Sequence, residues 1–173
     1  NRRVGGFGIR PENPVLALLT PKGGLSPLWE CRLMSTEGSG ASSPSKRTLL
    51  NEDAYLVHDG LGLYVVCDGA SDGPAGEVAA RTAIRALDAC VAANESKTGI
   101  FPLRSFTARG LSYDAVRFAM RSVVAAADAH PELDGMATTV TLLLASGGKA
   151  VIGHVGDSRA YLMRSGSLRR LTA

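Results

Sequence analysis

The chain has 173 residues, 45% of them hydrophobic and 20% charged, which provides enough apolar side chains for one globular domain. Residues 1–33 carry five of the 19 basic and two of the 16 acidic side chains, so this segment accounts for the whole net charge of +3. The charge therefore does not indicate nucleic acid binding, and the apolar run 15–19 is too short for a membrane span or a signal peptide. Three cysteines without a spacing pattern indicate a reduced, cytoplasmic protein.

The first 46 residues are predicted to lie outside the folded domain. Residues 1–33 hold four of the eight prolines, and Met34 follows them in the manner of a translation start. We expect residues 1–33 to be a non-native or disordered leader, with a genuine basic tail as the alternative. Residues 34–46 are rich in Gly and Ser and are predicted to be a linker.

Three acidic residues bracket a predicted hairpin. Residues 54–67 contain two short β-prone runs, and the Asp59-Gly60 pair between them is a strong hairpin signal. An antiparallel hairpin places the start of its first strand beside the end of its second strand. Glu52 and Asp53, which lie at the start of the first strand, are therefore expected to lie near Asp68, at the end of the second.

Such a carboxylate cluster indicates a divalent-metal site. Clustered carboxylates repel one another unless cations hold them, and oxygen ligands suit magnesium or manganese better than zinc. An isolated Asp-Gly pair is more often a turn than a ligand, and we keep the turn interpretation for Asp59-Gly60. Asp68-Gly69 differs, because a helical pattern follows it. A metal-free structural domain is the alternative, but it would leave the carboxylates without a counter-charge.

The rest of the chain predicts one α+β domain. Apolar residues spaced by three and four predict amphipathic helices at 82–91 and 112–129, separated by a loop at 94–110. Strands are predicted at 138–145 and 149–155, joined as a hairpin, and a second hairpin turns at Ser165-Gly166. Two helices set between groups of strands indicate segregated layers.

Four motifs occur in order along the chain, namely NEDAYLV, VVCDG with GEVAA downstream, GMATTVTLLL, and GHVGDSRAYLMRSGSLRRLT. Together, over residues 47–173, they resemble the bacterial form of the metal-dependent serine/threonine protein phosphatases of type 2C, the PPM family. The resemblance implies an α+β four-layer αββα sandwich, with two antiparallel sheets flanked by helices. Because the family domain is longer, it also implies that residues 47–173 are its N-terminal portion, C-terminally incomplete and inactive alone.

The resemblance further implies roles for individual residues. Glu52, Asp68 and the carbonyl of Gly69 would bind two Mn²⁺ or Mg²⁺ ions. A water bridging these ions would attack the phosphoester, so no side chain would act as a nucleophile. Asp53 would support these ligands without touching a metal. Asp134 would bind a third ion or, equally well, be a loop carboxylate.

Other positions match the family pattern less closely. Asp157 would fix a turn behind the metal ligands, and Arg47 would bind the substrate phosphate although it lies five residues, not four, before Glu52. Residues 71–73 (SDG) depart from the bacterial pattern DGxGGHxxGE. Ala70 replaces a His that often follows the DG pair in the animal and plant enzymes.

The function implied is hydrolysis of phosphoserine and phosphothreonine in proteins, opposite a cognate serine/threonine kinase. The complete protein would be a monomer without a nucleic acid or membrane partner. The alternative is an inactive pseudophosphatase that binds phosphoproteins, a hypothesis based on the substituted loop at 71–73 and the shifted Arg47. The histidines and cysteines are expected to be structural, since none has zinc-ligand spacing.

Overall fold

The computed structural model describes residues 16–22, 35–44, 51–71, 75–95, 107–146 and 149–172. The strands in these ranges are β1 (Leu16–Lys22), β2 (Ser35–Ala41), β3 (Asp53–His58), β4 (Leu63–Ala70), β5 (Ala137–Thr138), β6 (Val140–Ser146), β7 (Lys149–Val155), β8 (Tyr161–Arg164) and β9 (Ser167–Arg170). The helices are α1 (Ala75–Glu95) and α2 (Ala108–Ala129). Within the described ranges, no helix has both the length and the apolar content needed to cross a membrane.

The main sheet is antiparallel, with the strand order β3-β4-β6-β7, and β5 pairs with the end of β4. The pairs β1-β2 and β8-β9 form two further antiparallel sheets. Alternate residues of β4, namely Leu63, Val65 and Cys67, are buried in one core with residues of α1 and α2. Helices and strands occupy separate layers, which confirms the predicted α+β class.

The turn between β3 and β4 lies where the Asp-Gly pair predicts it, but its geometry differs from a two-residue turn. Residues 59–61 form one turn of 3₁₀ helix, and the amide of Gly62 donates to the carbonyl oxygen of Asp59 at 3.1 Å. Gly62 has a φ of +60°, and a side chain there would meet the carbonyl oxygen of Ala145. The left-handed position is therefore Gly62, where a glycine is required by both backbone angle and space.

Both helices are longer than their apolar spacing predicts. Helix α1 begins seven residues before the predicted start, and α2 begins at Ala108 instead of at 112. The side chain of Thr107 caps α2 by accepting a hydrogen bond from the amide of Gly110 at 3.1 Å. The predicted loop at 94–110 is thus shorter at both ends, because capping and small residues extend the helices beyond their apolar stripes.

Residues 35–41, which lie in the segment predicted to be a linker, form strand β2. Gly38 faces the ring of Tyr64, and Gly40 faces the ring of Tyr55, so closely that a Cβ atom at either glycine would overlap the ring. The amide of Gly38 also donates to Asp59 Oδ1 at 2.8 Å. The glycines that suggest a flexible linker therefore allow a strand to lie directly on two aromatic rings.

Residues 16–22, which lie in the segment predicted to be a non-native or disordered leader, form strand β1. This strand pairs with β2 along its whole length, with Leu16 opposite Ala41 and Lys22 opposite Ser35. Main-chain hydrogen bonding does not depend on apolar patterning, and the one proline in β1 is tolerated at a sheet edge. The other residues of 1–33 lie outside the described part of the chain.

Candidate metal centre

Asp53 and Asp68 lie opposite each other on the adjacent strands β3 and β4, as the predicted hairpin implies. They are directly paired in the register of β3 and β4, and their side chains are hydrogen-bonded. Burial, followed by the charges of Asp68 and Glu52, raises the pKa of Asp53 to about 6. Burial also raises the pKa of Asp68, and the nearby charge of Asp157 adds to this rise. The two carboxyl groups therefore share a proton more readily than isolated aspartates do.

Glu52 lies beside this pair, but its carboxylate turns toward the start of α1. The backbone oxygen of Glu52 accepts a hydrogen bond from the amide of Gly69 at 3.2 Å, which continues the β3-β4 pairing. Its Oε1 atom lies 3.4 Å from the hydroxyl of Ser71. The same Oε1 atom occupies the space that a Cβ atom would need at Gly76, in the first turn of α1.

The main chain of Asp68 is held on both sides by two threonines. Its amide donates to Thr139 Oγ1 at 3.0 Å, and its carbonyl oxygen accepts from the amide of Thr139 at 2.8 Å and from Thr138 Oγ1 at 3.1 Å. Thr139 Oγ1 in turn lies 2.7 Å from Ser158 Oγ. The sequence pattern does not predict the role of these three residues, although they lie within the GMATTVTLLL and GDSR motifs.

Asp157 and Asp134 are two further predicted site residues, and both are exposed. Asp157 is exposed, and it is close enough for its charge to affect the pKa of Asp68. Asp134 is exposed in a turn, where its Oδ1 accepts a hydrogen bond from the amide of Gly135 at 3.0 Å. Arg47 lies outside the described ranges.

The predicted donor groups fit a hard divalent cation in kind, because all of them are oxygens: the carboxylates of Asp68 and Glu52 and the carbonyl of Gly69. Two carboxyl groups with raised pKa values would also be favoured in their charged form by a nearby cation. Within the described ranges, however, no three His, Cys, Asp or Glu side chains converge on one point that could hold a metal ion.

The histidines and cysteines of the described residues have structural surroundings. Burial raises the pKa of Cys67 to about 12, which keeps its thiol protonated, and burial also raises the pKa of Cys90. His154 Nδ1 is hydrogen-bonded to Thr141 Oγ1 at 2.9 Å, and His58 Nδ1 lies 3.0 Å from Asp88. These contacts agree with the interpretation of these side chains as structural groups.

Comparison with known proteins identifies the family. The sequence profile described as "Protein phosphatase 2C" matches residues 41–173, and so begins at the end of β2. The serine/threonine protein phosphatase PstP of Mycobacterium tuberculosis is 35% identical over 122 residues, which cover 70% of this chain and 22% of PstP. The serine/threonine phosphatase Stp of Listeria welshimeri is 29% identical over 132 residues, which cover 70% of this chain and 48% of that protein.

The fold agrees with a solved structure of one of these relatives. The catalytic domain of PstP in complex with two manganese ions matches with a TM-score of 0.61 and 26% sequence identity, over 92% of this chain and 55% of that chain. This match confirms the predicted sandwich fold. The chain spans about half of that domain and less than half of the two curated relatives. The chain belongs to the protein phosphatase 2C family.

Proposed function

We propose that this chain contributes one part of the active site of a divalent-metal-dependent phosphatase that hydrolyses phosphoserine and phosphothreonine in proteins. The observation that carries the proposal is the Asp53–Asp68 pair, which two strands bring together at the sheet edge where the resemblance places a metal centre. The similarity to PstP and Stp, which are named serine/threonine phosphatases, supports the same substrate class. These relatives give no support to the inactive alternative.

The residues that would hold the metals are Asp68, Glu52 and the carbonyl of Gly69, and further oxygen ligands from outside the described residues would complete the site. When bound, two divalent cations would activate a water molecule and neutralise the phosphoryl charge. The two manganese ions of the PstP complex support manganese, and magnesium would fit the same hard oxygen donors. Asp134, exposed in its turn, would be available for a third ion.

The chain's own residues would orient these groups. Thr138 and Thr139 hydrogen-bond to the backbone of Asp68 and would hold it in place, so that the side chain of Asp68 starts from a fixed position at the strand end. Asp53 lies opposite Asp68, and a cation at the site would favour the charged form of both carboxyl groups. Arg47 would bind the substrate phosphate through charge-assisted hydrogen bonds. We further propose that residues 47–173 form the N-terminal portion of a phosphatase domain, and that the complete protein is a cytoplasmic monomer that acts opposite a serine/threonine kinase.

The test is hydrolysis of phosphoserine and phosphothreonine peptides by the full-length protein, with Mn²⁺ and with EDTA. We expect release of phosphate that requires Mn²⁺ and that Asp68→Asn lowers by more than tenfold, a loss above about 1.4 kcal/mol of transition-state stabilisation. Asp128→Asn, in the exposed last turn of α2, is the matched control and should keep wild-type activity. Manganese binding without phosphate release would instead favour the pseudophosphatase.

A further inference from the structure

The carboxylate of Glu52 is held against the start of helix α1. Ser71 Oγ lies 3.4 Å from Glu52 Oε1, and the amide of Gly76 donates to the same hydroxyl oxygen at 3.0 Å. Glu52 Oε1 also fills the space that a side chain at Gly76 would need. One serine hydroxyl therefore lies between the predicted metal ligand and the first turn of α1.

The directions of these two hydrogen bonds follow from which of the groups carry a proton to donate. A backbone amide can only donate, so Ser71 Oγ accepts from Gly76. The hydroxyl keeps its own proton, which it donates to the Glu52 carboxylate, a group that only accepts when ionised. The partial positive charge at the start of a helix favours a carboxylate in the same place. Both contacts favour this orientation of the Glu52 side chain.

The backbone of Glu52 is fixed independently of its side chain. Its carbonyl oxygen accepts from the amide of Gly69, the residue that follows Asp68. Gly69 itself approaches the carbonyl oxygen of Gly76 so closely that a Cβ atom could not be accommodated. The strand end that carries Asp68, the residue Glu52 and the start of α1 therefore form one tightly packed unit. Ser71 links the Glu52 side chain to the helix.

We propose that Ser71 is a positioning residue for Glu52. By accepting from Gly76 and donating to Glu52, it restricts the carboxylate to few rotamers beside the Asp53–Asp68 pair. A ligand that is already restricted loses less conformational entropy when a cation binds. Ser71 would therefore raise the affinity for the divalent cation without contacting it. This inference rests on the proposed function, because it takes Glu52 as a metal ligand.

The test is calorimetric titration of the metal-free, full-length protein with Mn²⁺. Ser71→Ala should weaken binding about tenfold, the lower end of the effect of residues that orient metal ligands. Ser71→Thr, which keeps the hydroxyl, should restore most of the affinity. Ser122→Ala is the matched control, because Ser122 Oγ donates to the carbonyl oxygen of Phe118 within α2, in a different part of the fold.

A second background shows whether Ser71 acts through Glu52. In Glu52→Ala, the further change Ser71→Ala should alter Mn²⁺ affinity less than twofold, because the oxygen that accepts the Ser71 hydroxyl is already absent. An equal tenfold loss in both backgrounds would overturn the proposal and assign Ser71 to helix capping alone. Unchanged Mn²⁺ affinity in Ser71→Ala would overturn it as well, while leaving the proposed function intact.

A metal-free measurement keeps the two proposals separable. Amide hydrogen exchange at Gly76 should be several-fold faster in Ser71→Ala than in the wild type or Ser122→Ala, because the acceptor of its hydrogen bond is removed. Unchanged exchange at Gly76 would overturn the positioning role. A wild-type protein that binds Mn²⁺ but releases no phosphate would overturn the proposed function and leave the role of Ser71 standing.

Discussion

Asp53→Asn should stabilise the metal-free protein at neutral pH. Burial, then Asp68 and Glu52, raise the pKa of Asp53 from its ordinary value of 3.8 to about 6. A rise of this size corresponds to at most about 3 kcal/mol of destabilisation when the group is charged. Because the side chain is partly exposed, water screens the effect to about 1 kcal/mol. Asparagine removes the charge and can still donate a hydrogen bond to Asp68.

The sign of the pH dependence follows from the raised pKa. The folded protein binds the proton of Asp53 more tightly than the unfolded chain does, so the free energy of unfolding falls as pH rises from about 4 to about 6 and stays lower above that range. The advantage of Asp53→Asn should therefore be complete at pH 7.5 and should shrink as pH falls through this window. A cation that binds the site would offset the repulsion and remove the advantage.

Urea unfolding of the full-length protein at pH 7.5 and pH 4.5, in EDTA and in Mn²⁺, measures these differences. Asp128→Asn removes an exposed carboxylate from α2 and serves as the control, with an expected change below about 0.5 kcal/mol. If Asp53→Asn destabilises the metal-free protein at pH 7.5, or if its effect is equal at both pH values, the charge repulsion inferred for the Asp53–Asp68 pair is absent.

Two further predictions concern phosphate binding and the packing of β2. Arg47→Ala should raise KM for a phosphopeptide several-fold, with a smaller change in kcat. Arg47→Lys should lower KM only part of the way back, because a lysine cannot form a bidentate contact with the phosphate. Unchanged steady-state kinetics in Arg47→Ala would show that Arg47 does not bind the substrate phosphate. Gly38→Ala should lower the free energy of unfolding in urea by about 1–3 kcal/mol, because its Cβ would overlap the Tyr64 ring. Gly60→Ala is the control and should change this free energy little, because the nearest atom to its Cβ would be in the His58 ring at 3.8 Å. Equal stability of these two glycine variants would show that β2 does not lie on the ring.

The sequence predicts the centre of the site because the information is local. The turn at Asp59-Gly60 and two β-prone runs of nearly equal length set the register that places Asp53 opposite Asp68. The same local signals predict the hairpin of β6 and β7 and the turn at Ser165-Gly166, where both residues have positive φ angles. Periodicity of apolar residues likewise identifies the helices, although not their ends.

The remaining features depend on contacts between distant residues. Gly38 is packed against Tyr64, 26 residues away, and a glycine-rich segment gives no periodic signal that would distinguish a closely packed strand from a linker. The contact between Thr139 and Asp68 spans 71 residues, so only the assembled sheet reveals it. The orientation of Glu52 is set by Ser71 and Gly76, which the sequence places in a loop and a helix start without indicating what they contact.

We propose that the carboxylate pair at the end of β3 and β4 belongs to a metal centre. Anomalous diffraction from crystals of the full-length protein grown with Mn²⁺ tests it most directly, since manganese is then located without reference to activity. We predict an anomalous peak within about 2.5 Å of a carboxylate oxygen of Asp68. Well-occupied manganese sites elsewhere in the protein, with no anomalous peak at Asp68, would contradict the claim.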